Sequence, residues 1–93
     1  MQLVGRGKLE AFKSKHADVR SAIDSWTKEV EAAEWSNFAE LKGRYPSASP
    51  LAENRAIFNL KGNKYRLDTT VAYLTQIVVV RRLGTHAEYS KWT

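Results

Sequence analysis

Eight side chains in the C-terminal part of this 93-residue sequence have the types and spacing to handle a phosphate ester: Arg55, Lys61, Lys64, Arg66, Arg81, Arg82, His86 and Tyr89. Arginine offers planar, bidentate donors to phosphoryl oxygens, and lysine offers a mobile point charge. Histidine titrates near neutral pH and serves as a general acid or base. Tyrosine joins it where adjacent cations make its proton easier to lose. His86 and Tyr89 are three residues apart, so on a helix they project from neighbouring positions of one face. A plainer reading stands beside each of these. The cations also suit a solvated sheet face in which Arg66 pairs with Asp68, two residues along the same side. Tyr89 also suits a ring packed on the core, with His86 decorating a helix start.

The charge distribution narrows the choice of partner. The chain has 15 Lys and Arg against 10 Asp and Glu, a formal charge of +5. Residues 1–54 carry eight of each sign, whereas residues 55–93 carry seven basic residues against Asp68 and Glu88. The whole excess therefore falls in the C-terminal segment, which suits a polyanion such as nucleic acid or an acidic protein.

The elements that must position these groups follow from periodicity. Gln2-Leu3-Val4 reads as a short strand, and Leu9, Phe12 and His16 fall at helical spacing for a first helix over 8–16. Asp18 is a good N-cap for a second helix over 19–33, whose stripe is Val19, Ile23, Trp26 and Val30. Ser36 caps a short third segment, 37–42, and GRYPSASP over 43–50 reads as a loop. The period then changes to two. Ala56, Phe58 and Leu60 share one face of a strand, with Arg55, Ile57 and Asn59 on the other.

Gly62-Asn63 predicts a tight hairpin turn into a strand over 64–73, with Lys64, Arg66, Asp68 and Thr70 on one face. Lys61 flanks the same turn. QIVVV over 76–80 is apolar on both faces, as an inner strand requires, and alternation sends Arg81 and Arg82 to opposite faces. Thr85-His86-Ala87-Glu88 has the capping-box form, so a C-terminal helix begins there. The expected fold is α+β, with two or three helices on one face of a small, mainly antiparallel sheet in a single domain over 1–93. Trp26, Trp35, Phe12, Phe38 and Phe58 are expected in its core.

Composition excludes several classes. With 43% hydrophobic and 27% charged residues the chain is expected to fold. It has no cysteine and only two histidines at no metal-ligand spacing, so neither a disulfide framework nor a metal site is expected. His16 reads as a surface or helix-end residue. No apolar run approaches the roughly 20 residues that span a bilayer, and no signal-peptide core opens the chain, which points to the cytoplasm and away from membranes. Neither a P-loop nor a nucleotide-binding glycine pattern occurs, and no cofactor is implied.

IFNLKGNKYRL (57–67) followed by QIVVVRRLGTHAEYSKW (76–92) resembles the HigB-type toxins of type II toxin–antitoxin modules, within the RelE-like superfamily. AEWSNFAELKGRYPSA (33–48) resembles that family's helical W-x-N-x-x-E-L-K-x-x-Y/F-P-S-A segment. The resemblance implies a metal-independent mRNA interferase that enters the ribosomal A site and cleaves bound mRNA through 2′-OH attack. It implies Arg66 and Arg81 for transition-state charge, and Lys61 and Lys64 for binding phosphate. Arg55 and Arg82 join these as further phosphate contacts, with His86 and Tyr89 as the acid/base candidates. It also implies a HigA-like helix-turn-helix antitoxin, through which alone the toxin would meet operator DNA. Two positions depart from the pattern: Arg82 stands where relatives carry an apolar residue, and Asp68 replaces an aliphatic one. Asp68 is placed either to neutralise Arg66 or to pair with Arg82 across the strands. A non-catalytic RNA- or ribosome-binding module, or a decayed toxin kept as co-repressor, is the competing expectation.

Overall fold

A computed structural model describes residues 1–92. Strand β1 (Gln2–Val4) leads into helix α1 (Arg6–Lys15), and a 3-10 turn (Ala17–Val19) joins it to α2 (Arg20–Ala32) and then α3 (Phe38–Arg44). Strands β2 (Ser49–Leu51), β3 (Arg55–Leu60), β4 (Tyr65–Ala72) and β5 (Ile77–Thr85) follow, and α4 (His86–Tyr89) comes last. The sheet runs β1-β5-β4-β3-β2, antiparallel except where β1 lies parallel to β5. The α+β expectation holds, and QIVVV does supply an inner strand.

One face of the sheet is the core. Ile23, Trp26 and Val30 are buried along the α2 stripe and Val19 at the end of the 3-10 turn, in one core with Phe58, Leu67, Val71, Val78 and Val80. Trp26 meets Phe58 edge-on at 5.3 Å between centroids, and Tyr45 meets the same ring at 5.2 Å. Such geometry suits the ring quadrupoles. Phe12 and Phe38 are only half-buried at the edge of this cluster. Ala56, Phe58, Leu60, Leu67, Val71, Val78 and Val80 thus join the core under the helices, and the opposite face keeps Arg66, Asp68 and Thr70 with the buried Ile57.

Several boundaries depart from the sequence reading. α1 starts at Arg6, because Gly5 takes φ 95° and turns the chain off β1. A Cβ on Gly5 would stand 2.9 Å from the Val80 carbonyl oxygen, so only glycine suits this crossing. Asp18 is not a helix cap: no side chain caps α2, and Asp18 lies inside the 3-10 turn with its carboxylate turned to the β3–β4 hairpin. Asn37, not Ser36, caps α3, accepting from the Glu40 amide. The segment 43–50 is not all loop, since α3 continues to Arg44 and β2 begins at Ser49. Lys61–Lys64 forms a four-residue loop with Lys61 and Gly62 at positive φ, in place of the two-residue Gly62-Asn63 turn. No helix among the described residues is long and apolar enough to cross a membrane.

Candidate functional site

The polar face of β4 and β5 is closed at one end by α4. Thr85 forms the expected capping box with Glu88, and the His86 amide donates to the Lys64 carbonyl at 3.0 Å. Those bonds fix α4 against the hairpin. The helix lies close because Gly84 is bare: a Cβ there would stand 2.7 Å from the Trp92 ring and 3.1 Å from the Glu88 Cβ.

Beneath α4 sits Arg66, almost fully buried at 8% exposure. Its Nη1 donates to the Asn63 carbonyl at 2.8 Å, and its Nη2 lies 2.9 Å from His86 Nδ1. A guanidinium only donates, so Nδ1 is the acceptor and the ring proton of His86 belongs on Nε2. The Tyr89 ring covers the same guanidinium at 5.3 Å. Arg66, His86 and Tyr89 therefore form one contiguous group, with His86 exposed at its edge.

Asp68 is wholly buried on the same face and does not touch Arg66. It accepts from Arg55 Nε at 3.2 Å and Nη2 at 2.6 Å, and from Arg82 Nε at 3.1 Å. Of the two roles open to it, Asp68 takes the cross-strand pairing and leaves the Arg66 charge unneutralised. The same carboxylate raises the pKa of Arg55 above the usual arginine value, chiefly by accepting its hydrogen bonds. The outer side of Arg82 is covered by the Trp92 ring, 4.2 Å from the guanidinium carbon.

Arg81 and Arg82 do not go to opposite faces. Asp68 is opposite Arg82 but Thr69 is opposite Val80, so Arg81 is the extra residue of a β-bulge. The bulge breaks the alternation and lets Arg81 Nη1 donate to Thr70 Oγ1 at 3.4 Å, on the same face as Arg82. Arg81 remains exposed and has no carboxylate partner among the described residues.

Lys61 and Lys64 are not brought to this group. Both ammonium groups turn toward the helices and meet Asp18 Oδ2, at 3.4 and 2.5 Å, while the Tyr65 hydroxyl donates to Oδ1 at 2.8 Å. The Lys64 ammonium, then the Tyr65 hydroxyl, hold the Asp18 carboxyl far below the usual carboxylate range. His16 closes α1, stacks on Phe12 at 4.2 Å and meets the Tyr65 ring at 5.4 Å. Among the described residues no cluster of His, Cys, Asp or Glu could hold a metal ion.

Residues 19–92 match the family model of the HigB toxin, the RelE-like toxic component of a toxin–antitoxin system. This chain belongs to the HigB toxin family. A search of curated proteins gives no match. The matched segment contains every residue of the polar-face group, and membership implies an antitoxin partner for this HigB toxin. Two site features of the toxin escaped the sequence reading. Trp92 as a cover for Arg82 was visible only as the next step of the His86, Tyr89, Trp92 spacing. Asp18 as the lysine counterion had no local signal, because its partners lie more than 40 residues along the chain.

Proposed function

We propose that this toxin is a ribosome-dependent mRNA interferase that cleaves RNA by 2′-OH attack without a metal ion, arresting translation and growth. The observation that carries the reading is the Arg66 Nη2 to His86 Nδ1 contact at 2.9 Å, with the carboxylate-free Arg81 farther along the same face against Thr70. It joins an exposed proton carrier to a buried guanidinium. HigB membership supplies the class of action.

In the reaction the 2′-oxygen forms a bond to phosphorus, and the bond from phosphorus to the 5′-oxygen breaks. One proton leaves the 2′-OH and one reaches the departing 5′-oxygen. Arg81 meets the phosphorane charge once bound RNA excludes water around it, because preorganised donors act most strongly in a water-excluded site. A phosphate is a better acceptor for a guanidinium than an imidazole is. An arriving phosphate therefore draws Arg66 from Nδ1, which frees His86 to hold a second proton. His86 is then the donor to the 5′-oxygen, leaving Tyr89 for the 2′-OH side. Arg55 and Arg82, both held by Asp68, shape the floor and orient the strand. Lys61 and Lys64 contribute only a distant positive field. The partners are translating ribosomes, mRNA and a HigA-like antitoxin that alone bridges to operator DNA, in the cytoplasm.

Arg81→Ala and His86→Ala, made separately, test this reading. Each is expected to slow cleavage of ribosome-bound mRNA by about 100-fold or more and to relieve growth arrest. Full activity in both variants would remove the assignment. Salt-dependent ribosome binding without cleavage by the wild-type protein would leave a binding module in its place.

A further inference from the structure

Beside the polar face, α1 and the end of β5 enclose a groove of about 250 Å3. One wall carries Lys8 and Lys15, two helical turns apart, and the other carries Arg81; Ala11, Phe12 and Leu83 form the floor. Lys8, Ala11 and Lys15 follow the i, i+3, i+7 stripe of α1, so the two ammonium stems stand about 10 Å apart with the apolar floor between them. Lys8 Nζ donates to the Arg81 carbonyl at 2.9 Å, which ties this wall to the bulge. Three other cations of the helical half are answered by carboxylates, Arg6 by Glu31, Lys13 by Glu10 and Asp24, and Arg44 by Glu29, and Arg20 and Lys42 donate to backbone carbonyls. Lys8, Lys15 and Arg81 have no carboxylate partner among the described residues, and they converge on this one groove.

We propose that the groove receives an acidic amphipathic segment of the antitoxin. Its carboxylates would meet Lys8, Lys15 and Arg81, and its apolar side chains would cover Ala11, Phe12 and Leu83. The chemistry favours a peptide over RNA. Ala11 and Leu83 offer no donor or acceptor to a base edge, and the Phe12 ring is already stacked on His16 and edge-on to Tyr65. A carboxylate-flanked apolar stripe satisfies both the floor and the walls. Because Arg81 belongs to both groove and polar face, a segment seated here covers a site arginine and silences the toxin directly. Lys8 and Lys15 lie ahead of residues 19–92, outside the segment matched to the family, so this wall is placed to select the toxin's own antitoxin. The docking inference rests on toxin membership and an antitoxin partner, and only the direct silencing through Arg81 rests on the nuclease reading.

The test pairs Lys8→Glu/Lys15→Glu with binding to the purified antitoxin encoded with this toxin. The dissociation constant is expected to rise about 10- to 100-fold at physiological salt, with a flatter salt dependence. The melting temperature and growth arrest without antitoxin should stay at wild-type level, while rescue by the antitoxin weakens. The chain has no cysteine, so Ala11→Cys takes a single photo-crosslinking label. It is expected to capture an antitoxin segment in which Asp or Glu flanks apolar residues. Unchanged antitoxin affinity in the double variant would overturn the proposal. So would cross-linking to RNA in place of the antitoxin, or loss of growth arrest in the double variant with antitoxin binding intact.

Discussion

The β3–β4 hairpin and the bulged end of β5 are both rich in cations, yet they differ in what answers the charge. At the hairpin, Asp18 takes Lys61 and Lys64 together, and the Tyr65 hydroxyl completes its coordination. On the polar face a carboxylate is also present, but Asp68 is occupied by Arg55 and Arg82, leaving Arg66 to His86 and Arg81 to solvent. Counting basic residues therefore overstates the capacity for phosphate. What matters is which guanidinium lacks an anionic partner, and of the polar-face arginines that set, among the described residues, is Arg66 and Arg81.

Four substitutions sharpen or break this contrast. Arg66→Ala is expected to have the largest effect, slowing cleavage of ribosome-bound mRNA about 100- to 1,000-fold while the protein stays folded by circular dichroism. Wild-type cleavage would break the contrast outright. Asp68→Asn leaves two guanidiniums without their shared anion. It should lower stability to urea by about 2–3 kcal/mol, below the ~3–5 of a fully buried pair because the Arg82 side chain is 42% exposed.

Asp18→Asn acts through pH. Folding depresses the Asp18 pKa, so its stabilisation is complete above the unfolded value near 4 and is lost as pH falls through the lower folded value. The difference in melting temperature between wild type and Asp18→Asn should be flat from about pH 7 to 5 and shrink below about pH 4. The same variant frees Lys61 and Lys64, so its non-specific RNA binding should rise with a steeper salt slope. Lys61→Ala and Lys64→Ala come last, each expected to change cleavage by less than about threefold because Asp18 already screens both. A hundredfold loss in either would return the hairpin to the site.

Much of this was legible in the chain. The α2 stripe, the period-two strands and the Thr85 capping box are local patterns, and each predicted its element to within a few residues. Family resemblance and charge asymmetry led to the strands whose polar face gathers Arg66, His86 and Tyr89. What stayed hidden was pairing at a distance. Strict alternation sent Arg81 and Arg82 apart, and nothing local announced the bulge that reunites them. Asp18 looked like a cap because its lysine partners are remote in sequence. Asp68 was rightly singled out, but only cross-strand register decides that it meets Arg82 and not Arg66. Short-range rules place elements; ion pairing depends on register.

The central claim is that the polar face performs 2′-OH transesterification, and the chemistry of the cut ends tests it most directly. Purified toxin is incubated with ribosomes programmed with a defined mRNA, alongside the same mRNA carrying a single 2′-deoxy residue at the mapped cleavage position. The account predicts a 2′,3′-cyclic or 3′-phosphate and a 5′-OH from the first, and an intact second strand. A 5′-phosphate with a 3′-OH, or equal cleavage of the deoxy-substituted mRNA, would contradict it.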